Sequence, residues 1–195
     1  ADLVFLTRFT HWLLRRLGWR FDGSLPEPAK SVVIGAPHTS NWDFIVFMAA
    51  VHAYRIDAHF LGKHTLFWWP LSLLLRSLGG IPVDRSAPGG LVRQVAEEFK
   101  KSETMVLVVA PEGTRKAVPH WKSGFVRLAD GAGVPVVPAA IDCVDKVVRL
   151  GPPIFVKGDI DAFMDRIRAA FEGARGFKPE GEGPILLAEE KSGAL

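Results

Sequence analysis

Short apolar runs rich in valine and isoleucine alternate with stretches of helical periodicity along most of this 195-residue sequence. The runs that predict strands are 31–35, 57–62, 80–84, 104–110 and 134–141, with possible edge strands at 147–150 and 154–157. The stretches that predict helices are 41–54, 64–78, 91–101, 124–131 and 160–171. This alternation predicts a single α/β domain with a mostly parallel or mixed central sheet flanked by helices.

The composition is that of a folded chain that favours anionic partners. It is 48% hydrophobic and 23% charged, with a mean hydropathy of +0.17, which excludes a disordered chain. The formal charge of +3 and the isoelectric point near 9.2 favour phosphates, acidic lipids or nucleic acid. The single cysteine, Cys143, excludes an internal disulfide framework. No apolar run reaches the ~18–20 residues of a membrane span, and the first residues are not expected to be a signal peptide.

The loop after the first predicted strand carries His38 and Asp43, the residue types of a proton-transfer pair. We expect His38 just before the next helix and Asp43 in its first turn, where the helix dipole favours an ionised carboxylate. Asp43 can then accept a hydrogen bond from one imidazole nitrogen and leave the other nitrogen free as a base. Ser40 or Asn41 is expected to cap the helix. A capping or core histidine is the alternative for His38.

A second pair, His52 and Asp57, has the same spacing. His52 lies late in a predicted helix and Asp57 starts a predicted strand, so their side chains need not meet. We therefore expect His52 to be structural or solvent-facing.

Two further loops place charged residues at strand ends, where the ligands of α/β proteins bind. The run 79–85 ends in Arg85, which could present a guanidinium to an anion, with a plain surface turn as the alternative. The loop after 104–110 has a glycine that permits close approach to a ligand, followed by positive charge. Its residues of interest are Glu112, Gly113, Thr114, Arg115 and Lys116, with Lys122 a few positions later. The run 134–138 contains two prolines and indicates an irregular or edge strand.

Other templates for chemistry are not found. The sequence has no G-x-S-x-G nucleophile elbow, no phosphate-binding P-loop and no H-E-x-x-H pattern. We therefore expect no metal site and no serine nucleophile. No nucleic-acid recognition motif is present either, so nucleic acid is not an expected partner.

Taken in order, these blocks resemble the glycerolipid acyltransferase family, which includes bacterial 1-acyl-glycerol-3-phosphate acyltransferase. That family shows H-x4-D, a block ending in D-R, then P-E-G-T-R, then V-P-x-x-P. The matching parts here are His38 with Asp43, 79–85, 111–115 and 134–138. The resemblance covers roughly residues 30–140, and four blocks in the same order are specific.

The resemblance implies a glycerol-3-phosphate acyltransferase-like fold and acyl transfer from acyl-CoA or acyl carrier protein to a glycerolipid hydroxyl, with no other cofactor. By family analogy His38 is the general base and Asp43 orients it. The residues placed with the acceptor and its phosphate are Arg85, Glu112, Gly113, Thr114, Arg115 and Lys122. The favoured acceptor is 1-acyl-glycerol-3-phosphate, giving phosphatidic acid. Glycerol-3-phosphate, another lysophospholipid, a lyso-aminolipid, or a silent lipid-binding module remain alternatives.

Three segments follow from this interpretation: a membrane-docking amphipathic helix in 1–25, an acyltransferase domain in 26–176 and a loose tail in 177–195. The helix has an apolar side and a polar stripe with flanking arginines, which is typical of an interfacial helix. Its apolar residues are Phe5, Phe9, Trp12, Leu13 and Leu17, and its polar residues are Arg8, His11, Arg15, Arg16 and Arg20. We expect peripheral binding to an anionic bilayer at the cytoplasmic face of the cell membrane. A core helix is the alternative, and 67–69 is a second candidate contact.

Overall fold

The computed structural model describes residues 2–27, 29–77, 79–83 and 90–191. The strands in these residues are β1 (Arg20–Asp22), β2 (Lys30–Ala36), β3 (Ala58–Lys63), β4 (Gly80–Val83), β5 (Met105–Val109), β6 (Val136–Asp142) and β7 (Val147–Leu150). The helices are α1 (Asp2–Arg16), α2 (Trp42–Ala53), α3 (Leu71–Ser77), α4 (Gly90–Lys101), α5 (Gly124–Ala132) and α6 (Ile160–Ala170). The described strands form one sheet in the order β1-β7-β6-β2-β5-β3-β4. All neighbours are parallel except β6 and β7, which confirms the predicted α/β domain with a mixed sheet.

The centre of the sheet is buried on both faces, as β2 shows. Val32 and Ile34 pack in a cluster with residues of α4, α5 and α6, whereas Val33 joins a second cluster that includes Tyr54. This alternation follows from the two-residue period of a strand. A fully buried aliphatic side chain stabilises the folded state by roughly 1.5–3 kcal/mol relative to an exposed one. The buried residues on both faces of β2 therefore favour the same pairing register.

The parallel pairing of β2 with β5 determines where the site forms. Ile34 lies opposite Val109 in the register, so both strands end at the same edge of the sheet. The loop that contains His38 and the loop that contains Arg115 therefore emerge side by side.

Some predicted elements differ in the structure. The predicted helix 64–78 is divided into a short 3-10 helix (His64–Leu66) and α3, which begins directly after Pro70. Proline lacks the N–H that a helix interior needs and is tolerated at a helix start. The run 154–157 is not a strand, since only Ile154 bridges to Val136. The run 147–150 is not an edge, because β7 pairs with β6 on one side and with β1 on the other.

Helix α1 packs on α2 through a narrow and partly polar face. Thr7, Thr10 and Leu14 are buried, and both threonine hydroxyls donate to carbonyls of their own helix. The aromatic side of α1 faces outward instead, with Phe5 73% exposed and Trp12 54% exposed. None of the helices that the structure describes is long and apolar enough to cross a bilayer.

Part of the segment 177–191 packs against the domain, in contrast with the loose tail expected for 177–195 from its Gly, Pro and Glu content. Leu187 is buried and bridges to Trp121. Glu190 is buried as well, and its Oε2 accepts from Arg168 Nη1 at 2.7 Å. Glu190 thus makes a specific interaction with the domain, although the composition of this segment predicts solvated acidic residues.

Candidate active site

His38 and Asp43 are brought together at the end of β2. The His38 Nδ1 atom lies 3.0 Å from Asp43 Oδ2. The same carboxylate oxygen accepts hydrogen bonds from the backbone N–H groups of Thr39 and Ser40, each at 2.8 Å. Asp43 is 4% exposed, whereas the His38 side chain is 34% exposed. With Nδ1–H donating to Asp43, Nε2 is the basic nitrogen.

The start of α2 is capped by side chains close to the dyad. Asn41 occupies the N-cap position but makes no side-chain cap bond. Ser40 Oγ accepts from the backbone N–H of Trp42 at 3.2 Å. Of the two predicted caps, Ser40 therefore supplies the hydrogen bond, and the tight turn fixes His38 and Asp43 relative to the helix.

The second pair with this spacing does not meet. The His52 ring lies against the His11 ring, with their centroids 5.2 Å apart, between α1 and α2. Asp57 Oδ1 lies 4.0 Å from His59 Nδ1 instead. His52 thus has a packing role, as expected from its place late in a helix.

Glu112 supports the histidine loop from inside the protein. Its Oε1 atom accepts from the backbone N–H of His38 at 3.0 Å, and the residue is 5% exposed. Burial raises the pKa of the Glu112 carboxyl, an effect that the His38 hydrogen bond partly offsets. Its Oε2 atom is buried and has no hydrogen-bond partner among the described residues. Glu112 therefore contacts the site through the His38 backbone, although the sequence indicates a residue that binds substrate.

A cleft of about 570 Å³ is lined in part by the residues that connect His38 to Asp43. Thr39, Ser40, Asn41 and Trp42 line one side, Arg115, Lys116 and Ala117 line another, and Lys178, Glu180 and Gly181 complete it. Arg115 and Lys116 are exposed, as is Thr114. The predicted anion-binding residue Arg115 therefore lines the same cleft as the residues between His38 and Asp43.

Gly113 and Lys122 lie against each other at the turn of this loop. Gly113 has a φ of +67°, and a Cβ there would come within 2.8 Å of Lys122 Nζ. The Lys122 backbone N–H donates to the Pro111 carbonyl at 2.9 Å. The positive φ favours glycine at this turn, whereas the flexible end of the exposed Lys122 side chain could move aside.

An apolar pocket of about 320 Å³ reaches the dyad from the side of α2 and β3. His38 and Asp43 form its polar end. The rest of its wall is Gly35, Phe44, Phe47, Phe60, Val108, Val109, Ala110 and Ile141. A Cβ on Gly35 would meet no atom within 4 Å, so this glycine leaves space open.

The structure thus places the His38–Asp43 pair, an apolar pocket and a cleft lined by cations at one sheet edge. A family model described as Acyltransferase matches residues 19–142. The chain belongs to the Acyltransferase family. It is 28% identical over 143 residues to the 1-acyl-sn-glycerol-3-phosphate acyltransferase of Escherichia coli (strain K12), a match that covers 68% of this chain and 57% of that relative.

A solved structure agrees on the fold. The 1-acyl-sn-glycerophosphate (LPA) acyltransferase PlsC from Thermotoga maritima superposes with a TM-score of 0.60 at 20% identity. The superposition covers 88% of this chain and 77% of that one. This likeness confirms the acyltransferase architecture.

The other predicted site residues divide into two groups. Glu112, Gly113, Thr114, Arg115 and Lys122 lie on or beside one loop next to the dyad. Arg85 lies outside the described residues, so its role stays a prediction. The pocket residues Phe44, Phe47 and Phe60 have no distinctive sequence signal, because aromatic residues in helices and strands indicate core packing equally well. Lys178 has no local signal either.

Proposed function

We propose that this chain moves a fatty acyl group from acyl-CoA or acyl carrier protein to the hydroxyl of a lysophospholipid. The proposed acceptor is 1-acyl-glycerol-3-phosphate, with phosphatidic acid as the product. The observation that carries the proposal is the His38–Asp43 pair at the polar end of the apolar pocket, on the same loop as Thr39, Ser40 and Trp42, which line the cationic cleft. An acyl chain suits the pocket, and a phosphate suits Arg115.

The chemistry needs one positioned base. His38 Nε2 removes the proton from the acceptor hydroxyl as its oxygen attacks the thioester carbonyl carbon. The tetrahedral intermediate then expels the thiolate as the C–S bond breaks, and the imidazolium returns the proton to the sulfur. The ester C–O bond replaces the thioester bond, so atoms and charge balance. A thioester is already activated, which is why no covalent enzyme intermediate is required.

The remaining predicted residues would bind the acceptor. Arg115 and Arg85 are assigned to its phosphate, since a guanidinium fork matches phosphate oxygens. Thr114, Gly113 and Lys122 line the same loop and are placed with them. Glu112 is assigned to holding the His38 backbone.

The direct test is thiol release from acyl-CoA by the purified chain. We expect release that depends on added 1-acyl-glycerol-3-phosphate, together with formation of phosphatidic acid. Glycerol-3-phosphate, lysophosphatidylcholine and a lyso-aminolipid serve as competing acceptors in the same assay. Lipid binding without thiol release from any pairing would identify a silent lipid-binding module and contradict the proposed enzyme.

Filling the apolar pocket should change the preferred acyl chain. In Gly35→Leu, the new side chain enters the space beside His38, so long acyl chains lose room and short ones do not. One methylene in such a pocket is worth roughly 10-fold or more in kcat/KM, and we expect at least this loss for long-chain acyl-CoA relative to short-chain acyl-CoA. Gly124→Leu, at an open and exposed position on α5, is the matched control. The same chain-length profile in both variants would place the acyl chain elsewhere.

The outward aromatic side of α1 supports peripheral membrane binding, which we place at the cytoplasmic face. Phe5, Phe9 and Trp12 stack along the helix, and the guanidinium of Arg16 lies 5.7 Å from the Trp12 ring centroid. Arg8 and Arg15 are exposed on the same helix. Exposed aromatic residues beside arginines suit an anionic bilayer surface.

Charge reversal on α1 should weaken membrane binding. Each basic residue near an anionic bilayer contributes ~1 kcal/mol, so Arg8→Glu with Arg15→Glu should reduce vesicle co-sedimentation strongly at low salt and less at high salt. Replacing Phe9 and Trp12 by serine should weaken binding at any salt, while Thr7 and Leu14 still hold α1 on α2. Equal sedimentation of all forms with anionic and neutral vesicles would exclude α1 as the docking element. The exposed pair Trp68 and Trp69 would then be tested in its place.

A further inference from the structure

The segment 174–183, here called the strap, lies against both loops of the site. The Lys178 backbone N–H donates to Thr39 Oγ1 at 3.1 Å. A Cβ on Gly181 would come within 2.9 Å of the Arg115 carbonyl oxygen, so the two backbones touch. The strap lies beyond residue 142, where the family match ends.

The strap is fixed by its own hydrogen bonds as well. Glu182 Oε1 accepts from the backbone N–H of Gly176 at 2.8 Å, and Glu182 Oε2 pairs with Arg175 at 3.1 Å. The Cys143 backbone N–H donates to the Arg175 carbonyl at 2.7 Å, which ties the strap to the end of β6. The backbone of Lys178 is therefore held in place while its side chain stays exposed at the cleft.

The charges at this cleft are unbalanced. Arg115 and Lys116 line it from one loop, and Lys178 lines it from the strap. Glu180 lies on the same wall, so the charged lining residues leave an excess of positive charge. In the part of the chain that the structure describes, none of these three cations forms a salt bridge. Cations gathered in a cleft concentrate an anion there, and lysine binds phosphate as a point charge.

We propose that the strap completes a phosphate-ester subsite, in which Lys178 binds the same phosphate group as Arg115. This inference rests on the proposed function and deepens it, since the phosphate is carried by a substrate of that reaction. Two substrates offer the same chemistry: the head-group phosphate of the acceptor and the phosphates of CoA. Lys178 acts here as a binding residue that selects phosphorylated substrates.

The kinetic test compares Lys178→Gln, which removes the charge and leaves a slightly shorter polar side chain, with Lys178→Arg. Each is assayed with 1-acyl-glycerol-3-phosphate against monoacylglycerol as acceptor, and with acyl-CoA against acyl-pantetheine as donor. A charge-assisted contact is worth roughly 10-fold or more, so Lys178→Gln should raise KM by about this factor for one phosphorylated substrate relative to its unphosphorylated partner. Lys178→Arg should restore most of that KM. Lys100→Ala, on the exposed face of α4, is the control.

The substrate whose KM responds identifies the source of the phosphate. A response with the acceptor pair assigns the head group, and a response with the donor pair assigns CoA. The inference is overturned if Lys178→Gln lowers kcat equally for every pairing, because a loosened strap would act that way. It is also overturned if the KM values of Lys178→Gln for the acceptor and for the donor match those of the Lys100→Ala control.

A binding measurement separates this inference from the proposed function. Trp42 lines the cleft and is exposed, so its fluorescence can report titration with inorganic phosphate. Wild type should show a saturable change that Lys178→Gln and Arg115→Ala each weaken. Absence of lysolipid-dependent thiol release alongside this change would reject the acyltransferase reaction and retain the anion subsite. Identical titrations of wild type and Lys178→Gln would reject the subsite.

Discussion

Replacement of His38 by alanine is expected to lower kcat by about 10²- to 10⁴-fold, the contribution of a positioned general base. The fold should be retained, because the His38 side chain is 34% exposed and its polar contact is with Asp43. Thiol release from acyl-CoA at saturating acceptor measures the loss, and the thermal unfolding midpoint checks the fold.

His52→Ala is the matched control, since it removes a histidine with the same downstream spacing to an aspartate. The His52 ring contacts the His11 ring between α1 and α2, away from the pocket and the cleft. We expect its kcat to stay within a few-fold of wild type. A severe loss in His52→Ala with an active His38→Ala would show that the wrong histidine has been assigned as the base.

Asp43→Asn should lower kcat by roughly 10²- to 10⁴-fold as well, because a neutral amide does not stabilise the imidazolium that forms during proton transfer. The oxygen of the new amide could keep the hydrogen bonds to the loop. Its NH₂ group would then replace Asp43 Oδ1, which is buried without a partner, so an unsatisfied donor would also destabilise the fold. Steady-state kinetics with both substrates, together with a thermal melt, separates the two effects.

Asp57→Asn is the control for this change. Its carboxylate lies 4.0 Å from His59 and is 59% exposed, so neither kcat nor stability should move appreciably. An Asp43→Asn enzyme that retains wild-type kcat would show that the carboxylate holds the loop without assisting the base.

The elements that carry the site could be predicted because their signals are local. The apolar runs that form β2 and β5 are buried on both faces, and a continuous apolar stretch of that length is typical of a central strand in a parallel sheet. Asp43 and the caps of α2 lie within a few residues of His38, so their meeting is fixed by one turn of backbone. Sequence spacing is informative at that range.

Other features needed the tertiary structure. The strand β1 is three residues long and depends on β7 as its partner. The division of the predicted helix 64–78, by contrast, follows from the local effect of Pro70. Glu112 is 74 positions from His38 in sequence, and its hydrogen bond to the His38 backbone exists only because β2 and β5 are neighbours. The presence of a charged residue such as Glu112 in a motif does not distinguish a residue that contacts a ligand from one that holds the site's backbone from inside the protein.

The sequence by itself determined the alternation of strands and helices, the order of its blocks and the pairing of His38 with Asp43. Each of these depends on interactions across a few positions, such as strand period, capping and the hydrogen bond from His38 to Asp43. Tertiary structure alone decided that Phe44 and Phe60 face one pocket, that α1 turns its aromatic side outward and that the strap brings Lys178 to Arg115. These outcomes depend on packing between segments distant in sequence. An aromatic residue, a lysine or a glutamate can lie in solvent, in the core or in a site, so its type alone does not predict its position.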